Sequence, residues 1–432
     1  MIKLNPNKHF TEDLAIEVAP LPKEFVVPLQ QHIGRECEVL VRVGDYVKKG
    51  QKIGEASGFI SAPVHSPVSG RVKSIGPGLH PIFGRATAVV IENDGEEALG
   101  YEERDFSLSE VLRQKREDLV DQIKEAGIVG LGGATFPTHV KLKPKNPVDV
   151  LVINAAECEP YITCDLRVFL EHTDEVFQGI QVVMYILDVK RAVIGVEDHN
   201  EGLIKVLRRY IAEKGLKSIE VVSLPSFYPQ GGEKQLIKNT VGREVPLGGL
   251  PSDVGVVVQN VGTIYAVYEA LFRGKPLFER VCTVSGGGVN QPKNLLIRVG
   301  MSLKWVLDCC GGVKEDVRKV ILGGPMMGFA MPSLEIPTIK GTGAILALTD
   351  KETFYGDEYL ACIRCGRCVE HCPMGLMPAD MGLALENGRV DLAKEYGLMD
   401  CIECGVCTYV CPAKRPIVQW IKKGKYLARK GS

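Results

Sequence analysis

The sequence predicts a multidomain α/β chain, and three observations carry that expectation. From about Ser107 to Arg273, apolar β-branched runs alternate with helical periods, the pattern of a mostly parallel sheet with helices packed on it. From about Val26 to Ile91 the runs are short and β-like, punctuated by Gly, Pro and Ser. From about Lys351 the chain reads as helical with cysteine loops, and eight of its 14 cysteines fall in the last 71 residues. A chain of 432 residues has room for about three domains. With 45% hydrophobic and 24% charged residues it is ordinary globular protein, which excludes wholesale disorder, collagen and coiled coil. Lys+Arg 52 against Asp+Glu 53 gives a net charge of -1, so no basic field points to nucleic acid. No apolar run approaches the ~20 residues of a membrane span. The Met1–Pro6 segment lacks the apolar stretch of a signal peptide. The expectation is a cytosolic chain, where cysteines serve metal ligation before disulfides.

The N-terminal element, residues 1–100, contains two β-rich stretches, Val41–Gly54 and Pro63–Val72. They resemble the two halves of a biotinyl or lipoyl carrier domain. A carrier needs a lysine in the hairpin between the halves, and here Ala56–Ala62 holds none. The resemblance implies a barrel-sandwich fold without a swinging arm. His65 reads as a packing or turn residue rather than a catalytic one.

The second element, residues 101–275, is the α/β region. Strands are expected at Val148–Ile153, Arg191–Val196, Ile219–Val222 and Val254–Val258, with helices over Leu166–Ile186 and Asn200–Glu213. Near its start, Gly127–Lys141 packs four glycines into seven residues, which lets backbone approach a phosphate closely. Lys141, with Lys143 and Lys145, adds charge. The pattern is neither G-x-G-x-x-G after a strand nor a P-loop. Three further stretches place amides and acids at the carboxyl ends of strands or in a glycine turn, where α/β proteins bind ligands: Asn154–Pro160, Tyr228–Leu236 and Gln259-Asn260.

Taken in order, this set resembles the flavin-binding NADH dehydrogenase subunit of respiratory complex I. In that family a Gly-x-Gly-Gly-Ala-x-Phe-Pro-Thr loop, an Asn-Ala-x-Glu-x-Glu-Pro strand end, a Tyr-x-x-Gly-x-Glu turn and an amide pair surround FMN and NADH. Carried across, the resemblance assigns cofactor binding to Gly130, Gly132, Lys141, Asn154, Glu157, Tyr228, Gly231, Glu233, Gln259 and Asn260. It places the Phe136 ring near the nicotinamide and Glu233 near the nicotinamide ribose. Two positions depart: Ala156 stands where the family has an acid that binds FMN, and Gly232 where it has the first of two glutamates.

The third element, residues 276–350, returns to β-runs around one helix, Leu303–Cys309. Its Cys282–Pro292 stretch through Gly311-Gly312 resembles a soluble-ligand-binding β-grasp module, read here as a spacer. Cys37, Cys158, Cys164, Cys282, Cys309 and Cys310 are scattered, and each reads as a small buried hydrophobe.

The fourth element, residues 351–432, carries an internal duplication. Cys362-x2-Cys365-x2-Cys368-x3-Cys372-Pro373 recurs 39 positions later as Cys401-x2-Cys404-x2-Cys407-x3-Cys411-Pro412. This is the bacterial ferredoxin run, in which the fourth cysteine ligates the other cluster. The spacing assigns Cys362, Cys365, Cys368 and Cys411 to one [4Fe–4S] cluster. It assigns Cys372, Cys401, Cys404 and Cys407 to the second. Structural zinc sites place their cysteine pairs farther apart. After Pro412 the tail to Ser432 holds seven cations and no acid. Ile417, Trp420, Ile421 and Leu427 fall roughly on one helical face, with Lys422, Lys423 and Lys425 largely off it. Such a helix either packs on the cluster domain or docks on an anionic membrane surface.

The order of barrel, flavin-type domain, β-grasp and twin ferredoxin motif is similar to the C-subunit family of ion-translocating electron transport complexes. That resemblance implies a peripheral subunit on the cytoplasmic face of a membrane complex. Its partners would be the other subunits and, indirectly, ferredoxin, and its cofactors FMN, NAD(H) and two [4Fe–4S] clusters. No side-chain acid or base is obligatory. Two other readings are an iron–sulfur adaptor without flavin and the diaphorase subunit of a soluble hydrogenase or formate dehydrogenase.

Overall fold

The computed structural model describes residues 2–353 and 359–430. Gly431, Ser432 and the Lys430 side chain, part of the basic tail, lie outside the described residues. The architecture is the expected one: a β barrel-sandwich, a parallel α/β domain, a β-grasp sheet and a small helical cysteine domain.

The α/β domain is built on four parallel strands in the order Ile219–Leu224, Arg191–Glu197, Val150–Ala155, Val256–Asn260. The chain first lays strands outward from Val150–Ala155. It then crosses back to add Val256–Asn260 on the other side. The winding direction therefore reverses between these two strands, which opens a crevice at their carboxyl ends. Val150, Leu151, Val152 and Ile153 are all buried, so the strand is covered on both faces. The helix expected over Leu166–Ile186 is two, Cys164–Glu171 and Thr173–Leu187. The break falls at His172, and the Thr173 hydroxyl donates to the Phe169 carbonyl at 2.7 Å. The last strand begins at Val256 rather than Val254, because Pro251–Val254 forms a 3-10 turn closed by Gly255 at φ 74°.

Two antiparallel sheets make the barrel-sandwich. One is Glu24–Pro28, Gly84–Asn93, Gly70–His80, Tyr46–Val47, and the other Glu38–Val39, Lys52–Glu55, Val64–His65. His65 is buried, as a packing residue should be. Phe25, Ile53 and Val89 share one apolar core with Leu295, Val306 and Ile345 of the β-grasp. That sheet runs Ile16–Val18, Lys293–Arg298, Glu279–Ser285, Ala344–Thr349, Val317–Leu322, Phe329–Ala330. Its edge strand thus comes from the chain's first residues. Cys37, Cys164, Cys282 and Cys310 are buried, while Cys158 and Cys309 are half-buried.

The cysteine domain repeats its backbone as well as its sequence. Helices Arg367–Glu370 and Val406–Tyr409 are equivalent, as are Pro378–Glu386 and Ile417–Lys430. Arg364 and Glu403 are both left-handed, at φ 54° and 58°. The C-terminal helix is therefore the second repeat's packing helix. Its burial differs from the sequence expectation at two places. Lys425 is buried, its ammonium on the Cys401 carbonyl (2.5 Å) and Glu403 (3.0 Å), whereas Leu427 is exposed. Lys422 reaches back to the Met327 carbonyl at 2.8 Å and covers the Phe329 ring. Internal carbonyls, not solvent, face these lysines.

The barrel is locked to the β-grasp by Glu97, which pairs with Arg298 at 2.5 Å and Lys49 at 2.7 Å. The Arg298 hydrogen bonds, helped by Lys49, hold the Glu97 carboxyl down at about 2. A depressed carboxyl stabilises the fold above its ordinary range and loses that contribution as pH falls from about 4.5 to about 2. We expect Glu97→Gln to lower stability at pH 7 by about 1–2 kcal/mol, allowing for partial exposure. Its acid-unfolding limb should be flatter below pH 5, as read by thermal midpoints across pH.

Candidate functional site

The crevice at the reversal point gathers most of the residues selected from the sequence. The glycine loop enters after the Arg116–Glu125 helix and turns through Leu131–Ala134. Its neck is closed by Gly130 N–H donating to the Phe136 carbonyl (2.8 Å) and Thr135 N–H donating to that of Gly130 (3.1 Å). Its tip is tied at Leu131: the N–H donates to Thr263 Oγ1 (2.8 Å) and the carbonyl accepts from Arg280 (3.2 Å). Gly132, Gly133 and Ala134 remain exposed. A Cβ on Gly132 would stand 3.4 Å from Asn260 Cβ, ordinary contact. Protein packing alone therefore does not demand glycine there.

Asn260 ends its strand and caps the following helix through Thr263 N–H, while its amide donates to Asp165 at 2.5 Å. Asn154 ends the central strand and donates to the Gly231 carbonyl at 2.9 Å. A Cβ on Gly231 would lie 3.2 Å from Cys158 Sγ, so the two strand-end loops meet closely. Lys141 and Glu233 pair at 2.5 Å across the crevice. Phe136 is half-buried in the loop's neck. Gln259 is buried, and its amide nitrogen has no protein partner among the described residues; the same holds for Gln230. Buried donors of this kind are costly unless a ligand or water accepts from them. Open glycines, a lysine and unpartnered amides fit a polar phosphate-bearing cofactor such as FMN.

Glu157 accepts from the Asp165 N–H (2.7 Å) and Leu166 N–H (3.4 Å), at a helix start. Burial raises its carboxyl above the usual carboxylate range, against the pull of Lys8. Tyr228 is not turned into the crevice. Its hydroxyl lies 2.8 Å from the Cys404 carbonyl and 3.2 Å from Glu159. The two departures have distinct settings. Ala156 is buried behind Asn154, which accepts from its N–H. At Gly232 a Cβ would meet Gln235 Oε1 at 2.9 Å and the Pro229 carbonyl at 3.2 Å, so the turn's own residues crowd a side chain there, with Ile402 of the cysteine domain at ordinary contact, 3.7 Å.

The sequence reading missed Lys8, Glu159, Asp165 and Glu197. Lys8 Nζ donates to the carbonyls of Glu157 (2.7 Å), Ile162 (2.5 Å) and Glu159 (3.4 Å). It lies far away in sequence, without a motif. Glu159 stood inside the quoted strand end. Asp165 and Glu197 gave one available signal, an acid within or just after an apolar run. Glu197 ends its strand buried, and burial lifts its carboxyl to about 8.

In the cysteine domain, one cavity is lined by Cys372, Cys401, Cys404 and Cys407. A second is lined by Cys362, Cys365, Cys368 and Cys411. Each thus receives three thiols from one motif and the fourth from the other. Backbone N–H groups of Leu376 and Glu403 already point at Cys372 Sγ (3.4 Å) and Cys401 Sγ (3.3 Å). Four thiols with N–H donors around them fit a [4Fe–4S] cluster.

A flavin-type crevice joined to a two-cluster cysteine domain defines an iron–sulfur electron-transfer protein. Family models agree along the chain: the RnfC barrel sandwich hybrid domain over residues 2–96, the Nuo51 FMN-binding domain over 123–269, the SLBB domain over 281–330 and a 4Fe-4S dicluster domain over 355–412. The chain belongs to the RnfC family, the C-subunits of ion-translocating ferredoxin:NAD(+) oxidoreductase complexes. It is 47% identical over 425 residues to the C-subunit of the proton-translocating ferredoxin:NAD(+) oxidoreductase complex of Clostridium ljungdahlii, covering 96% of this chain and 90% of that one. It is 41% identical over 420 residues to the Na(+)-translocating counterpart of Acetobacterium woodii, covering 97% and 94%. Among solved structures, an NAD+-reducing [NiFe]-hydrogenase in the H2-reduced state shares the fold. Its TM-score is 0.51 at 18% identity, over 74% of this chain and 62% of that one.

Glu197 yields a pH test. Its carboxyl deprotonates near 4.5 when unfolded and about 8 when folded, so the folded state holds the extra proton between. Stability therefore falls as pH rises through that window. Glu197→Gln should gain on the parent protein by about 2 kcal/mol between pH 5 and pH 8, from ~1.4 kcal/mol per unit discounted for relaxation. Thermal midpoints at the two pH values that move in parallel would refute this.

Proposed function

We propose that this chain is the NAD(H)-side oxidoreductase subunit of a membrane-bound ferredoxin:NAD complex coupled to ion transport. The observation that carries the reading is the junction of the crevice with the cysteine domain: Tyr228 on the Cys404 carbonyl, Gly232 beside Ile402, and Gln235 donating to the Pro373 carbonyl at 3.2 Å. FMN supplies the exchange between a two-electron hydride and single electrons, and [4Fe–4S] clusters carry those electrons one at a time.

The chain's residues bind, orient and exclude water. Gly130 and Gly132 give a phosphate access to backbone, and Lys141 adds its charge. Asn154, Gln259 and Asn260 present amides at the strand ends, and Phe136 walls the nicotinamide side. Glu233, paired with Lys141 across the crevice, would meet the nicotinamide ribose, and Lys141 the phosphate. Glu157 holds the helix start in place from below. Gly231 keeps the two strand-end loops in contact. Cys362, Cys365, Cys368 and Cys411 hold one cluster; Cys372, Cys401, Cys404 and Cys407 hold the other.

Among the described residues no helix is long and apolar enough to cross a membrane. The same reading makes it a peripheral protein on the cytoplasmic face, attached to the complex's other subunits and exchanging electrons indirectly with ferredoxin. Of the basic tail, Lys414, Lys423 and Arg429 are exposed and suit an anionic membrane surface, at about 1 kcal/mol per cation near such lipid.

The visible spectrum of anaerobically purified protein tests this reading. NADH should bleach a flavin band, and Gly132→Val should lose flavin at least tenfold with an unchanged fold by circular dichroism. Iron–sulfur absorption indifferent to NADH would instead favour an adaptor. Cys411→Ser should damage the cluster of Cys362, Cys365 and Cys368 and spare the other. Loss of the EPR signal belonging to Cys401, Cys404 and Cys407 would reverse the ligand assignment.

A further inference from the structure

Three domains meet at one pair, half-buried Glu159 and buried Tyr228. Glu159 follows the central strand of the parallel sheet. Its carboxylate accepts from the N–H groups of Met327 (2.9 Å) and Met326 (3.1 Å), in the β-grasp loop after Val317–Leu322. A Cβ on Gly324 would come within 2.1 Å of Glu159 Oε2, so that loop is fitted to the carboxylate. The Tyr228 hydroxyl lies between Glu159 Oε1 at 3.2 Å and the Cys404 carbonyl at 2.8 Å. A phenol donates one proton. The shorter contact takes the larger share of it: the hydroxyl donates chiefly to the Cys404 carbonyl and more weakly to Glu159 Oε1, which fixes the ring's position. Tyr228 packs in an apolar cluster with Ile2, Met326, Ile402 and Val406.

The two thiol cavities differ in this respect. The one with Cys404 abuts the flavin-type domain through Tyr228, Gly232 and Gln235. The other is lined by residues of the cysteine domain, with Cys365 exposed and Ile363 66% exposed.

We infer that the Cys372, Cys401, Cys404 and Cys407 centre exchanges electrons with the crevice, and that Tyr228 is the positioning residue that joins it to the flavin-type domain and raises its reduction potential. This rests on the cluster-binding reading above. A donor dipole aimed at the ligand loop favours the added electron, because hydrogen bonding and local charge set cluster potentials. The outer centre has no such donor from the flavin-type domain among the described residues. It faces the surface, where electrons enter or leave the chain.

The test is an EPR redox titration of full-length, cluster-loaded protein, with Cys411→Ser marking which signal belongs to which centre. Tyr228→Phe keeps the ring and removes the donor. It should lower the inner centre's reduced-to-oxidised ratio at fixed potential about tenfold, which is ~59 mV for one electron. The outer centre should stay unchanged, and both signals should keep full spin count. 3-Fluorotyrosine at position 228 strengthens the donor and should move the inner centre the opposite way; it decides the matter if Tyr228→Phe loses its clusters. Equal shifts in both centres, or none in either variant at full occupancy, would overturn the inference. Parent protein without clusters would instead overturn the reading beneath it.

Discussion

A single buried ammonium sets the geometry of the loop on which the crevice and the cluster junction both depend. Residues 156–162 leave the central strand in a path that holds Glu157 and Tyr161 left-handed, at φ 44° and 71°. Each such non-glycine costs on the order of 1 kcal/mol. The path also turns three carbonyls and two carboxyls inward. Lys8 answers the three carbonyls directly and stands 3.9 Å from the Glu157 carboxylate. A buried charge is tolerable only with full hydrogen bonding, and here the lysine and the loop satisfy each other. One end of the loop then faces the helix start at Asp165, the other the β-grasp and the cysteines.

Other buried cations act in the same way. Arg280 comes from a β-grasp strand and bonds the carbonyls of Leu131 (3.2 Å) and Lys340 (2.7 Å), holding the glycine loop from behind. Lys340 is fully buried and donates to the carbonyls of Pro63 (2.6 Å) and Gly127 (2.7 Å), joining barrel to α/β domain. Burial pulls its ammonium down to about 7. The crevice is therefore a product of the whole chain. Its glycine loop closes its own neck, but its tip and base are held by Thr263 and by Arg280 and Lys340 of the β-grasp.

Much of this was legible in the sequence because the signals were periodic or spaced. Alternating apolar runs gave the parallel strands, and the 39-residue repeat gave eight cysteines in two sets. The motif order pointed to the crevice residues. What the sequence hid was long-range and aperiodic. Lys8 has no motif, and its partners lie about 150 residues away. Tyr228 matched a flavin-site motif, yet its hydroxyl serves the cysteine domain, because a motif records position and not side-chain direction. The C-terminal helix was misread at Lys425 and Leu427 because amphipathicity assumes lysines seek water. Extending the repeat past Pro412 would have aligned that helix with Pro378–Glu386 and shown it to be a packing element. Gly232 could not be explained until the turn placed Gln235 Oε1 and the Pro229 carbonyl against it.

The chain's beginning is stitched across its later parts. Ile2 bridges to Tyr228, Lys8 reaches residues 157–162, and Ile16–Val18 forms the edge of a sheet beside Asn294–Leu296. This segment is therefore synthesised well before its strand partner, Asn294–Leu296. Until then it carries an unpaired strand edge, which chains ordinarily keep short or charged; here it is three residues long and includes Glu17. Pairings this distant are slow to find. Residues 2–18 must therefore wait for partners made much later, and they form the seam between the α/β domain, the β-grasp and the barrel.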